Sequence, residues 1–222
     1  MSSVSRVTPA QPTYHRAEKL SDAAIHILGV IWGLIAAAAI IRYAAIWRHD
    51  PVIIIGAVIY AACLITMLTA SAAYHLTPWD AWKDPLRRLD QSAIYVKIAG
   101  TYTPFALLAG SGALFLVGMW GAALVGMMLK IFAPDRYRTL GLLLYLGMGW
   151  FGVLLGGDLL SSLTTTGFSL MLFGGLIYTV GVIFFLWESL PFSTPIWHAH
   201  VLVATVLLYI AVLVEIADLP IL

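Results

Sequence analysis

The chain has 222 residues, of which 61% are hydrophobic and 10% charged, and its mean hydropathy is +0.94. Soluble domains carry about 25% charged residues, so this composition excludes an ordinary soluble domain and predicts an all-α membrane protein. A formal net charge of +1 and the lack of a basic run give no support for a nucleic-acid partner, and we expect none. The single cysteine, Cys63, excludes an intramolecular disulfide.

Apolar stretches of spanning length define the predicted architecture. A spanning helix needs about 20 mostly apolar residues, and the sequence predicts a seven-transmembrane-helix bundle over residues 21–222, preceded by a polar segment of residues 1–20. The first apolar stretch is too long for a signal-peptide core, so we expect it to be retained. Clusters of Pro, Gly, Asp and Arg separate the spans. The predicted spans are 22–47, 51–76, 88–109, 112–131, 138–157, 167–188 and 196–217.

Lysine and arginine concentrate on one side of these spans. They lie before the first span, between the second and third, and between the fourth and fifth. The positive-inside rule then places the N-terminus in the cytoplasm and the C-terminus outside, the reverse of a G-protein-coupled receptor. We expect a protein integral to the plasma (inner) membrane, with membrane lipids as its partners. The oligomeric state stays open.

Four ionisable residues fall at the predicted cytoplasmic end of the spans. His75 ends the second span, while His26, Asp90 and His198 open the first, third and seventh. Ionisable groups at this depth are costly unless they are paired, hydrated or bound to a metal. The alternative is that these histidines sit in the headgroup region and hydrogen-bond to water and lipid. Taken together they favour one functional site.

The residue types at this site suit zinc chemistry. Neutral imidazoles with one open position are typical of a catalytic zinc, which acidifies a bound water. Asp90 could accept the proton of that water. Ser71 precedes His75 by one helical turn, so the two share a helix face and the hydroxyl could hydrogen-bond the imidazole or a water.

Lys97 lies inside the third predicted span. It follows Asp90 by seven residues, which places it on the same helix face and about 10 Å deeper. It could line a cavity and bind a lipid phosphate or carboxylate, or it could replace the charge of the metal. The other interpretations are a carboxylate partner on another helix and a side chain that snorkels toward the interface.

The chain resembles a known family over nearly its whole length, and four segments carry the resemblance most clearly. They are SAAYH at 71–75, LDQSAIY at 89–95, IAGTYTPF at 98–105 and IWH at 196–198. They are similar to the hemolysin III family, which is related to the progestin and adipoQ receptor family that includes the adiponectin receptors. The resemblance implies seven helices with the N-terminus inside, a zinc near the cytoplasmic face, and metal-dependent hydrolysis of a lipid amide or ester. It also implies a bacterial source and a link to haemolysis and membrane-lipid homeostasis.

The same resemblance assigns residues to roles. It implies that His75 is a zinc ligand and that Asp90 lies near the zinc-bound water. The His-x-x-x-His pair of the last helix aligns with His198 as its second member, so that Thr194 occupies the first position. His200 could supply the missing imidazole only if the chain is irregular there, because it lies about 200° around a regular helix from His198.

Three further positions belong to this comparison. His26 matches the first-helix histidine motif, Gln91 stands where many bacterial members have histidine, and Lys97 stands where an apolar residue is expected. The hydroxyl of Tyr102 could line the cavity. The resulting candidate set comprises Asp90 and Ser71 as catalytic residues, His75, His198 and His200 as metal ligands, and Lys97, His26, Thr194, Gln91 and Tyr102 as substrate or cavity residues.

Two classes of function stay open from the sequence. One is a zinc-dependent intramembrane hydrolase of a lipid-like substrate, with its site at the cytoplasmic end of helices 2, 3 and 7. The other is a non-enzymatic protein: a lipid-state sensor, a membrane-homeostasis regulator, a receptor-like module or a pore-forming cytolysin. A closed four-ligand site would favour the second class, and an open position beside Asp90 would favour the first.

Overall fold

The computed structural model describes residues 16–110 and 112–217, and within them the chain is all-helical. A π-helical segment, Ala44–Arg48, continues the first helix. The helices are α1 (Arg16–Tyr43), α2 (Pro51–Leu76), α3 (Asp80–Ala109), α4 (Ala113–Phe132), α5 (Arg138–Leu155), α6 (Gly157–Ser161), α7 (Thr165–Leu186) and α8 (Ser193–Ala217). The predicted all-α class is therefore confirmed.

The helix bounds differ from the predicted spans in several places. Helix α3 begins at Asp80 rather than at residue 88, because the acidic first turn favours a helix N-terminus even where the residues are too polar for lipid. The short helix α6 was not predicted. The first 15 residues of the predicted polar segment, and Ser111 in the predicted link between spans three and four, lie outside the described residues.

Five helical segments of the described chain are long and apolar enough to cross a membrane. Helix α5 is apolar but shorter, and α3 carries more charge than the others. The five segments are Arg16–Arg48, Pro51–Leu76, Ala113–Phe132, Thr165–Leu186 and Ser193–Ala217.

Local chemistry sets several helix ends. Asp50 caps α2, since its Oδ1 accepts a hydrogen bond of 2.8 Å from the backbone N of Val52, and Pro51 supplies a helical φ at the first position. Gly110 ends α3 with a φ of 69°, which glycine adopts without strain.

The bundle closes through neighbouring helix pairs. Helix α2 packs against α1 and α3, α3 against α4, α7 against α8, and α1 against α8. Tyr60, Tyr95 and Phe105 are fully buried at the centre, whereas large apolar side chains such as Leu114 on α4 face outward. The molecule is apolar inside and outside, as a bundle solvated by lipid requires.

A hydrogen-bonded network, here called the far-end network, ties the end of the π-helical segment to α7 and α8. Arg48 donates to the carbonyls of Ile216 (2.6 Å) and Glu215 (2.8 Å). The Oε1 atom of Glu215 accepts from the backbone N (2.9 Å) and Oγ1 (2.6 Å) of Thr164, which in turn caps Gly167 at the start of α7. Each of these bonds involves a backbone group or the helix cap Thr164, so the network is structural.

Ion pairs join the links at the opposite end of the bundle. Arg87 contacts Asp135 at 2.7 Å, and Arg138 contacts Glu188 at 2.5 Å. The hydrogen bond from Arg87 holds the pKa of the Asp135 carboxyl below its ordinary value, and hydrogen bonds from Arg87 and Arg88 do the same for Asp84.

Candidate metal centre

Four polar side chains meet where α1, α2 and α8 adjoin. Helix α1 provides Asp22 and His26, α2 provides His75, and α8 provides His198. Each offers one potential ligand atom, and these atoms all lie within 4.8 Å of one another. Asp22, His26 and His198 are buried and His75 is half-buried. We call these four residues the cluster.

Asp22 organises the cluster. Its Oδ1 lies 2.6 Å from Nδ1 of His198, its Oδ2 lies 3.2 Å from Nδ1 of His75, and the same Oδ2 is 3.7 Å from Nε2 of His26. Since an ionised carboxylate only accepts, the two Nδ1 atoms donate to it. The Nε2 atoms of His75 and His198 are then the nitrogens that can bind a metal, and the carboxylate fixes the orientation of both rings.

The environment of His26 shows whether the cluster could accommodate a metal cation. Its Nε2 is buried and has no hydrogen-bond partner among the described residues, although its ring centroid lies 4.8 Å from that of His75 and 4.5 Å from that of His198. An unsatisfied buried polar atom costs about 1–3 kcal/mol. Three imidazoles beside a carboxylate are a donor set that suits zinc, so the residues present fit such an ion.

The predicted catalytic pair lies next to the cluster. The hydroxyl of Ser71 is within hydrogen-bonding reach of the Asp90 carboxylate, and His75 and His198 are close enough to Asp90 to interact with it electrostatically. Asp90 itself stands on α3, the helix that packs along α2. The structure therefore brings Ser71 and Asp90 together at one side of the histidines.

Two cavities adjoin Asp90. The mouth cavity, of about 420 Å³, is lined by charged residues that include Arg87, Lys130 and Glu188. The inner cavity, of about 140 Å³, is lined mainly by apolar residues together with Ser71, Lys97 and Thr101. The two share a wall formed by Asp90, Ile94, Tyr145, Trp197 and His198. The cluster end of the bundle is thus bordered by one polar cavity and one mainly apolar cavity.

The other predicted residues are distributed between these cavities. Gln91 and Thr194 line the mouth cavity, and Oε1 of Gln91 is buried without a partner in the described chain. Tyr102 lines the inner cavity and donates a hydrogen bond of 2.5 Å to the carbonyl of Gly149. His200 lies outside the cluster, because its Nδ1 bonds to the carbonyl of Ile196 at 2.7 Å and its ring packs against Phe184.

Lys97 is buried in the inner cavity, with 4% of its surface exposed. Its Nζ donates to Oγ1 of Thr101 at 2.7 Å and lies 4.8 Å from the ring centroid of Tyr60. No carboxylate of the described residues lies within ion-pair distance of it. A buried ammonium without a carboxylate beside it is costly, which makes the placement of Lys97 unusual.

Sequence reasoning missed Asp22, whose carboxylate bonds to His75 and His198 and lies 3.7 Å from His26. A signal was present, because Asp22 and His26 are four residues apart and therefore share a helix face at the start of an apolar span. The sequence predicts His26 at the same end of the bundle but assigns it to the cavity and His200 to the metal, whereas the structure brings His26 together with His75 and His198.

Comparison with known proteins identifies the family. The family model described as haemolysin-III related matches residues 14–209, which include all four cluster residues. The chain belongs to the haemolysin-III-related family. The resemblance found in the sequence is confirmed, and like the family the chain is an integral membrane protein.

Similar proteins of this family cover most of the chain. The Hemolysin-3 homolog of Bacillus subtilis (strain 168) is 36% identical over 206 residues, which are 91% of this chain and 96% of that protein. Hemolysin-3 of Bacillus cereus is 36% identical over 88% of this chain and 90% of its own length. The human Monocyte to macrophage differentiation factor is 31% identical over 71% of this chain and 69% of its own length.

Proposed function

We propose that this haemolysin-III-related protein is a zinc-dependent intramembrane hydrolase that cleaves a lipid-like amide or ester. The observation that carries the proposal is the cluster of Asp22, His26, His75 and His198 within 4.8 Å, beside Asp90 at the wall between two cavities. A polar donor set, a carboxylate and an apolar chamber in one place are what such a reaction needs.

The three cluster histidines are the proposed ligands. His26 takes the place that the sequence assigned to Thr194 or His200, and Asp22 orients the rings of His75 and His198 through their Nδ1 atoms. A zinc ion held there would polarise a substrate carbonyl and acidify a water molecule.

Asp90 and Ser71 act on protons. We assign Asp90 as the base that takes a proton from the attacking water at a carboxylate oxygen and then delivers it to the leaving group. Ser71, within hydrogen-bonding reach of that carboxylate, holds it in position. Gln91 and Thr194 line the mouth cavity, where a polar head group would lie.

The inner cavity suits an acyl chain. Its wall includes Met67, Ile98, Met171 and Leu208, so an apolar chain would be buried there while the scissile bond stays near Asp90. Tyr102 shapes the same wall. A lipid substrate could enter without crossing water, since large apolar side chains also cover the outside of the bundle.

We further propose seven spans in the plasma membrane, with the N-terminus in the cytoplasm. Helix α5 would be about 27 Å long at 1.5 Å per residue, close to the hydrocarbon thickness of about 30 Å. With α5 counted, the apolar part of α3 after Arg88 would bring the number of spans to seven, as the third span in chain order. Reporter fusions at residue 112 and at residue 162 should both report the outside, and a cytoplasmic signal at either would contradict this topology.

A second candidate is a non-enzymatic protein in which the metal staples helices, as in a lipid-state sensor, a membrane-homeostasis regulator or a pore former. The observation that favours it is the position of Asp22, whose Oδ2 lies 3.2 Å from Nδ1 of His75. If Asp22 binds the metal directly, the site has four protein donors and no open position, which is typical of structural zinc.

Hydrolysis assays on the purified protein separate the two candidates. We expect the zinc-loaded chain to cleave a fluorescent N-dodecanoyl amide or the matched dodecanoyl ester. Asp90→Asn should keep its zinc and lose about 100-fold or more in rate, whereas His75→Ala should lose both. A zinc-loaded wild type that cleaves neither probe, but unfolds at a lower temperature after chelation, would reject the hydrolase and support the staple.

A further inference from the structure

Lys97 has no part in the hydrolysis proposed above. It lies about 10 Å deeper than Asp90 along α3, and it faces the inner cavity rather than the cluster. We propose that Lys97 anchors a carboxylate-binding site in the inner cavity, which takes the head group of a single-chain carboxylic acid. The site does not require metal at the cluster.

The residues around Nζ of Lys97 do not provide a hydrogen-bond acceptor for every N–H group of its ammonium. An ammonium has three N–H donors, and one of them goes to Oγ1 of Thr101. The ring of Tyr60 lies on another side of the group at 4.8 Å. The described residues place no carboxylate against it, so a ligand that supplies negative charge completes the shell of Lys97.

Three hydroxyl groups of the cavity wall are already hydrogen-bonded within the protein. Oγ1 of Thr101 donates to the carbonyl of Lys97, and the hydroxyl of Tyr178 bonds to Thr205 at 2.5 Å. Thr179 donates to the carbonyl of Gly175 and accepts from Trp150. Among the described residues that line this wall, Lys97 is the one lysine or arginine, so it is the group suited to bind an anion.

The charge and size of the cavity select the ligand class. One lysine in a mainly apolar chamber of about 140 Å³ balances a monoanion, whereas a phosphate monoester would bring a second negative charge that has no partner there. A carboxylic acid can enter from the membrane in its neutral form. Its O–H proton is then released to water, and the resulting carboxylate pairs with the ammonium of Lys97, so that the two charges cancel.

Equilibrium binding of [1-13C]dodecanoic acid to the purified, metal-stripped full chain in lipid nanodiscs tests the proposal. Lys97→Met keeps the length of the side chain and removes its charge, so we expect at least about 10-fold weaker binding. Lys130→Met is the matched control, because Lys130 is a buried lysine that lines only the mouth cavity. It should bind dodecanoic acid as the wild type does.

Two further ligands distinguish the contribution of the carboxylate to binding from that of the alkyl chain. Dodecanol should bind wild type and Lys97→Met equally, and acetate at the same concentration should not displace dodecanoic acid. If Lys97→Met weakens the alcohol as much as the acid, or acetate displaces as well as the long chain, the proposal is overturned.

The carbon resonance of the bound acid gives a test that needs no variant. In the wild type the labelled carboxyl should report an ionised carboxylate at a pH where the acid dissolved in empty nanodiscs is partly protonated. A bound acid that stays protonated, or equal affinity of wild type and Lys97→Met, rejects the site. Both measurements use metal-free protein, so failure of the hydrolase proposal leaves them unaffected.

Discussion

Polar residues gather near both ends of the stretch formed by α1 and the π-helical segment, and they are satisfied in different ways. At the far-end network, Arg48 and Glu215 bond to helix carbonyls and to the cap of α7. In the cluster, roughly 40 Å away along the helix, side chains face one another and Nε2 of His26 has no partner in the described chain. Polar groups that satisfy the backbone hold a fold together, whereas polar groups aimed at a common point prepare a place for a ligand.

The largest expected effect comes from removing a cluster histidine. His26→Ala should lower bound zinc from about one per chain to a small fraction of that, because the ion loses one of three imidazoles. Metal analysis of purified protein measures this. His200→Ala is the control, since His200 is on α8 but bonds to the carbonyl of Ile196; equal zinc loss in both variants would contradict the ligand set.

Asp22→Asn should have the next largest effect. The amide keeps the shape of the side chain but cannot accept from Nδ1 of both His75 and His198 as a carboxylate does. We expect zinc affinity to fall about 10–100-fold, the usual range for residues that orient metal ligands. Competition with a zinc chelator gives the affinity, and an unchanged value would show that Asp22 neither binds nor orients.

A substitution in the far-end network should lower the stability of the protein and leave its zinc content unchanged. Glu215→Ala leaves the backbone N–H of Thr164 without its acceptor, at a cost of about 1–3 kcal/mol in the free energy of unfolding. Glu188→Ala is the exposed control and should cost well under about 1 kcal/mol. Zinc loss in Glu215→Ala would mean that the two ends of the bundle are coupled.

Gly167→Ala tests the contribution of the far-end network to stability without changing a charge. A Cβ atom at this position would lie 1.9 Å from Oε1 of Glu215, whereas one at Gly118 would meet nothing within 4 Å. The Glu215 carboxylate would have to move away and give up its bonds to Thr164, so we expect Gly167→Ala to destabilise by about 1–3 kcal/mol. Gly118→Ala should not destabilise the protein. Thermal unfolding of the two variants side by side measures the difference, and equal stabilities would contradict the tight contact.

The smallest effect concerns the surface ion pairs and depends on pH. The pKa values of Asp84 and Asp135 are lowered in the folded protein, chiefly by hydrogen bonds from Arg87, so their contribution to stability is full above the ordinary carboxyl pKa of 3.8 and is lost as the pH falls below it. Arg87→Gln should lower the unfolding temperature by at most about 2 °C at pH 7. The two proteins should converge below pH 3.8.

Much of the fold could be predicted from the sequence alone, because apolar run length is a local property. Composition and run length predicted an all-helical membrane protein, and the break before residue 51 placed the start of the second span where α2 begins. The early start of α3 at Asp80 and the short helix α6 were not foreseen, since polar residues can continue a helix outside lipid and a helix of one turn has no apolar pattern of its own.

The site was only partly within reach of the sequence. Apolar surroundings singled out four residues, because an ionisable residue in an apolar run is costly wherever the helix packs. They are His26, His75, Asp90 and His198. Which of them meet is decided by the rotation and tilt of each helix, and these are set by side-chain packing across α1, α2 and α8. Only the tertiary structure could therefore place His26 and Asp22 in the cluster, move His200 out of it, and leave Lys97 facing a cavity with no carboxylate of the described chain beside it.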